Sequence, residues 1–365
     1  MVTPGSPLDP YDAVILVSFG GPEGPDDVLP FMENVTRGRA IPRERLVEVS
    51  AHYARFGGVS PINGHNRKLL AAMRAAFVAR AIDVPVVWGN RNWHPYISEA
   101  FAELEHQPIA PRRVLAFVTS AFSSTSGCRQ YREDIAQSLA AVATGAPVVD
   151  KVRVFYNHPG FIEPMVDNTR AALSHSPADA EIVFTAHSIP TSMADTSDYV
   201  DQLGDACSLI VQGLGPDHAS CTWDLVFQSR SGAPGQPWLE PDISDHFRAR
   251  RAAGATAVVV VPVGFVSDHM EVVWDLDVQA RETADELGLV MVRAATVGTD
   301  ERFVEMIVDL ALERAATERG ECPVRVALGI RGPNHDVCPA HCCPAPMRPG
   351  ATPASGRPAG SDERT

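Results

Sequence analysis

Short runs of β-branched and other apolar residues alternate along the chain with longer stretches in which apolar positions recur at helical spacing. That alternation marks repeated βαβ units and a parallel sheet. The strand candidates are residues 13–19, 84–88, 114–119, 152–155, 182–186, 225–228, 257–263 and 289–293. They fall into two sets of four, which meet near Asn157-His158-Pro159-Gly160, where Pro fixes its own φ and Gly tolerates a turn. The pattern therefore predicts two doubly wound α/β domains facing each other, over residues 1–155 and 156–298. From Thr299, a candidate N-cap, Phe303, Met306, Ile307 and Leu310 recur at helical spacing and predict a closing amphipathic helix over 299–318. A Cys-rich extension follows over 319–343. Residues 344–365 carry five prolines among Gly, Ala and Ser, too little apolar surface to offset ordering entropy, so a disordered tail is expected.

Composition narrows the class. A length of 365 residues suits two domains, and 45% apolar with 21% charged residues is ordinary for a globular protein. The net charge of -14 argues against general binding to nucleic acid or anionic lipid, which are held mainly by clustered Lys and Arg. No apolar run approaches the roughly 18 residues of a membrane span, and residues 1–12 lack a basic segment followed by an apolar one. A soluble, cytoplasmic protein with no integral span is the expectation. Seven cysteines, an odd number, fit metal binding or plain burial better than a disulfide framework.

In open α/β sheets the ligand lies beyond the carboxyl ends of the strands, so residues just after each strand carry the candidate chemistry. Ser18-Phe19-Gly20-Gly21-Pro22 matches neither the dinucleotide fingerprint nor the Walker spacing, and Pro22 removes a donor. It reads as a tight turn allowing close backbone approach. His187 ends an apolar strand and offers a metal ligand or a base near neutral pH. Glu271 and Asp275 follow the most apolar strand and, four apart, share a face of a helix beginning near Asp268. With an imidazole they suit a divalent metal or proton transfer; Asp268-x-x-Glu271 equally reads as a capping box. The segments 34–39 and 52–61 add Arg37, Tyr53 and Ser60 as donors for ligand carboxylates, or as solvated loop. Cys338-x-x-x-Cys342-Cys343, flanked by His335 and His341, suits zinc or an iron-sulfur cluster, with a fourth ligand from Cys128, Cys322 or a His.

Over about residues 12–313 the chain resembles the ferrochelatases, specifically the actinobacterial type acting on coproporphyrin III. The resemblance rests on Leu16-Val17-Ser18-Phe19-Gly20-Gly21-Pro22, Gly57-Gly58-Val59-Ser60-Pro61, Phe184-Thr185-Ala186-His187-Ser188-Ile189-Pro190 and the run from Phe265 through Ser267-Asp268-His269-Met270-Glu271 to Asp275. It implies two flavodoxin-like halves around a porphyrin cleft and insertion of ferrous iron. His187 matches the family's metal-binding, proton-accepting histidine, Glu271 its partner carboxylate, and Asp275 a continuing acidic row. Phe19, Arg37, Tyr53, Ser60 and Tyr131 match porphyrin-contact positions. Phe19 stands where some members have an iron-ligating Tyr, and His52 where some have Arg. The resemblance also implies a two-iron two-sulfur (2Fe-2S) cluster on Cys338, Cys342, Cys343 and an internal cysteine, Cys128, with Cys221 and Cys322 as alternatives. Its product, Fe-coproporphyrin III, would pass to a coproheme decarboxylase. Protoporphyrin IX as substrate, and a non-catalytic haem carrier or iron-sulfur sensor, are the competing readings.

Overall fold

The computed structural model describes residues 5–38, 41–140, 145–218, 221–231, 235–339 and 341–344. Arg39 and the expected tail beyond Pro344 lie outside the described residues.

The first half contains β1 (Ala13–Ser18), α1 (Pro25–Val35), α2 (Arg43–Ala54), α3 (Ile62–Ala79), β2 (Val86–Asn90), α4 (Ile97–Glu105), β3 (Arg113–Val118), a π-turn (Thr125–Arg129), α5 (Gln130–Ala140) and β4 (Val148–Lys151). The second contains α6 (Pro159–Ser174), β5 (Glu181–His187), α7 (Thr191–Ala194), α8 (Tyr199–Leu214), β6 (Trp223–Gln228), α9 (Ile243–Ala252), β7 (Ala257–Val261), α10 (Met270–Val272), a π-helix (Val273–Ala280), α11 (Arg281–Leu287) and β8 (Val290–Arg293). The final helix is α12 (Glu301–Glu318).

The strands form two four-stranded sheets of the same topology, β2-β1-β3-β4 and β6-β5-β7-β8, parallel throughout. The central strands β1 and β7 are buried along their whole length, as expected where helices cover both faces. In each sheet the strand order reverses around the first strand of the half, which places a switch point between β1 and β3 and another between β5 and β7. The doubly wound reading of the sequence thus holds.

Three local expectations are corrected. The fourth strand is Val148–Lys151 rather than 152–155. Val152, Val154 and Phe155 are buried because they cross the core toward α12, Phe155 packing on Phe303, and burial alone does not make a strand. The actual strand reads Val-Val-Asp-Lys because it is a half-exposed edge, with Asp150 taken up by Arg113 and Arg314. The closing helix is capped by Asp300, which accepts from the Arg302 N–H, rather than by Thr299. Asp268 is no capping-box N-cap either: His269 precedes α10, and Asp268 pairs with Arg293 at 2.9 Å.

The halves are joined over a wide front. α12 packs on α3 of the first half and α6 of the second. Arg153 and Glu313 form a bidentate pair at 2.6 and 3.1 Å. Ser123 and the buried Gln202 exchange two hydrogen bonds between the post-β3 loop and α8.

Candidate active site

The second sheet's switch point brings together His187, at the end of β5, and Glu271, on the short α10 that follows β7. His187 Nε2 lies 3.4 Å from Glu271 Oε2, with the side chains 32% and 50% exposed, so the pair is open to a ligand. His187 Nδ1 bonds the Ser188 carbonyl, which can only accept, and this fixes the Nδ1–H tautomer. The proton that comes and goes is therefore on Nε2, the atom facing Glu271 and the cleft. Desolvation pulls the imidazole pKa down, but the Glu271 hydrogen bond and charge outweigh it and the net shift is upward. For Glu271 desolvation raises, His187 lowers more strongly, and the carboxyl falls to about 2.

Asp275 sits one turn along the π-helix. Burial is the main cause of its rise to about 7, opposed by the Ser229 hydroxyl that donates to it and reinforced by the nearby Glu271 charge. Ser229 holds this contact from a left-handed backbone position, φ 62°. Behind Asp275 lies a cavity of about 410 Å³ whose lining includes Asp242, Glu282 and Glu286, with Arg248 opposing them. A base, a carboxylate held ionised and a carboxyl poised near neutrality make an arrangement that can accept protons and hold a divalent cation.

The first half supplies an apolar wall. Phe31 meets Phe19, Tyr53 and Trp93 edge-on at 6.4, 6.3 and 6.1 Å, and the same cluster includes Met270, next to Glu271. The Tyr53 hydroxyl is pushed up by burial and by the Glu271 charge. His52 stacks on Trp274 at 4.0 Å, Arg55 covers the same indole, and Arg55 pairs with Glu282 at 3.3 Å, so α2 meets the π-helix across the cleft. Of the remaining expected porphyrin contacts, Arg37 is exposed, Ser60 is buried against Gly21, and Tyr131 is buried with Arg91 4.5 Å over its ring. Arg91 also reaches Phe19 at 5.9 Å and pairs with Asp134. Sequence pattern alone does not single out Arg91, Ser229, Trp274 or Gln228, whose Nε2 donates to the Glu271 carbonyl at 3.4 Å; Arg91, Gln228 and Ser229 directly follow or end β2 and β6, where the strand-end rule points.

Cys128, buried in the π-turn after β3, and Cys338 share a hydrogen bond that lowers the Cys338 thiol to about 7. Cys342 Sγ lies 3.7 Å from Cys343 Sγ and 3.8 Å from His335 Nε2. His335, Cys338 and Cys342 hold their ligand atoms within 4.8 Å of one another. Cys322 is exposed, and Cys221 sits by His218, 3.6 Å away.

The ferrochelatase family model matches residues 11–315. The chain belongs to the ferrochelatase family. Among its relatives, the coproporphyrin III ferrochelatase of Streptomyces coelicolor is 53% identical over 357 residues, 92% of this chain and 94% of that protein. The coproporphyrin III ferrochelatase of Streptomyces griseus is 54% identical over 92% of this chain and 94% of its own length. A protein of Rhodopirellula baltica named ferrochelatase is 51% identical over 97% and 99%. The chain is thus an enzyme of the ferrochelatase family, and the matched span includes His187, Glu271 and Asp275 but ends before the Cys-rich extension. Among the described residues no helix is long and apolar enough to cross a membrane.

Proposed function

We propose that this ferrochelatase inserts ferrous iron into coproporphyrin III, giving Fe-coproporphyrin III and releasing two protons, with no change in iron oxidation state. The observation that carries the mechanism is the His187–Glu271 pair at 3.4 Å, set at the switch point of the second sheet against an aromatic wall from the first half. Neutral His187 presents its Nε2 lone pair to the ring and takes the pyrrole protons. Glu271 stabilises the imidazolium that results; with the ring neutral, His187 Nε2 and the Glu271 carboxylate can instead hold the incoming ferrous ion between them. Asp275, near half-protonated at neutral pH, passes protons or ions toward the acidic cavity behind it. Phe19, with Tyr53 in the wall behind it, flanks the macrocycle, and Arg37 on the exposed rim serves as a propionate contact. Ser60, against Gly21, and Tyr131, under the Arg91 guanidinium that also reaches Phe19, support the turn after β1 that presents Phe19.

The names of the Streptomyces relatives favour coproporphyrin over protoporphyrin IX. Anaerobic assays of the full chain with ferrous iron and each porphyrin in competition test this: coproporphyrin consumption should dominate, and a preference for protoporphyrin IX would reverse the assignment. We further assign residues 1–155 and 156–298 as the two domains, the cytoplasm as the site of action, and a coproheme decarboxylase as consumer of the product.

We propose that Cys128, Cys338, Cys342 and Cys343 hold a 2Fe-2S cluster; in support, the Cys342 and Cys343 sulfurs lie 3.7 Å apart, and Cys338 brings its sulfur within 4.8 Å of Cys342 and His335. When bound, such a cluster supplies a one-electron redox centre and a tether between the extension and the post-β3 loop. The chain's own residues already prepare that tether: Thr125 Oγ1 donates to the Pro344 carbonyl at 2.9 Å, and the Leu328 N–H to the Asn157 carbonyl at 2.8 Å.

A further inference from the structure

Resting on the metal site proposed above, we infer that Arg293 is a positioning residue for iron. It ends β8, far in sequence from His187, and its guanidinium grips two carboxylates that bracket the metal-facing residues. Nη1 and Nη2 reach the Asp268 oxygens at 3.1 and 2.9 Å, while Nε and Nη2 reach those of Asp277 at 2.7 and 3.0 Å. Asp268 lies just before α10 and Asp277 within the π-helix, so Glu271 and Asp275 both sit between the two anchors.

The arrangement answers a physical problem. A π-helix of eight residues, Val273–Ala280, is a rare backbone that mostly occurs as a single-turn bulge at functional sites, and a tie from outside the segment helps to set its register. Arg293 is the residue suited to give one, because its planar fork binds two carboxylates in fixed directions, and its side chain is only 17% exposed. Fixing residues 268 and 277 to the end of β8 fixes the rotation of the segment between them about its axis, and with it the approach of Glu271 to His187. Arg293 touches none of the three residues His187, Glu271 and Asp275 in the observed contacts, so its effect on metal is transmitted through the π-helix.

The test uses the full-length chain as Arg293→Met, which keeps the aliphatic stem, and as Asp277→Asn, which removes one arm at a more exposed position and guards against misfolding of the first. Cobalt(II) binding by visible absorption, the KM for ferrous iron, and coproporphyrin affinity by fluorescence are read for each. Arg293→Met is expected to weaken cobalt binding and raise the iron KM by about tenfold or more, and Asp277→Asn by a few-fold, with porphyrin affinity within about twofold of wild type. A folded Arg293→Met protein with unchanged cobalt affinity and iron KM overturns the inference. Equal loss of iron and porphyrin binding in Asp277→Asn also overturns it, as general loosening. Absence of iron insertion in the wild type would instead overturn the underlying reading of the site.

Discussion

His187 is tied at Nδ1 to a carbonyl, so its Nε2 alone carries the titration that matters. Because the folded pKa lies above the ordinary 6.5, the neutral base disappears as pH falls through a value above 6.5, and kcat/KM for porphyrin should decline there. A pH–rate profile with its acid limb at or below 6 would contradict this. Asp275 gives a stability prediction of definite sign. Its folded pKa of about 7 exceeds the unfolded value near 3.8, so the native state binds the proton more tightly and stability is lost as pH rises between those values. Asp275→Asn should therefore stabilise the protein, by roughly 1–3 kcal/mol at pH 8 and by less at pH 5, in urea titrations at the two pH values. The residue-level site was legible where a chemical type coincided with a strand end, as with His187. Asp268 was misleading for a different reason: its spacing to Glu271 satisfies a capping box, while its actual partner, Arg293, is 25 residues away and invisible to local pattern.

At the scale of elements, apolar runs located seven of the eight strands, because parallel strands buried on both faces are written as continuous β-branched segments. The eighth failed at the edge of its sheet, where the strand carries charge and the neighbouring apolar run serves the core instead. The π-helix was also illegible, since periodicity does not distinguish it from an α-helix over eight residues. The Cys-rich extension has no regular structure beyond α12 among the described residues, yet it is anchored at Asn157, Arg153 and Thr125. Replacing Cys338, the thiol that bonds Cys128, with Ser should abolish the visible absorption of the proposed cluster in anaerobically purified protein and lower Tm by several degrees. Replacing the exposed Cys322 should change neither. A Cys338→Ser protein that keeps the chromophore would remove that residue from the ligand set.

For the whole molecule, the two sheets are bound into one body by α12 and by buried polar contacts, and the proposed site draws on both halves. The Arg153–Glu313 pair is the clearest case, with the two side chains 0% and 8% exposed. Arg153→Ala would leave a carboxylate buried without its partner and should cost about 3–5 kcal/mol in urea unfolding, whereas Arg153→Met with Glu313→Leu should cost much less. The net charge of -14 sets a requirement on recognition: a polyanionic porphyrin must be met by local cations such as Arg37, while the acidic cavity behind Asp275 suits ferrous ions. The central claim is that His187 takes the pyrrole protons at a site shared by both halves. Its most direct test is a single-turnover absorption measurement under anaerobic conditions, mixing ferrous iron with coproporphyrin III bound to wild-type and His187→Ala protein. The account predicts that the variant binds the porphyrin with near-normal affinity and inserts iron at least about a hundredfold more slowly. Insertion by His187→Ala at a rate close to wild type would contradict it.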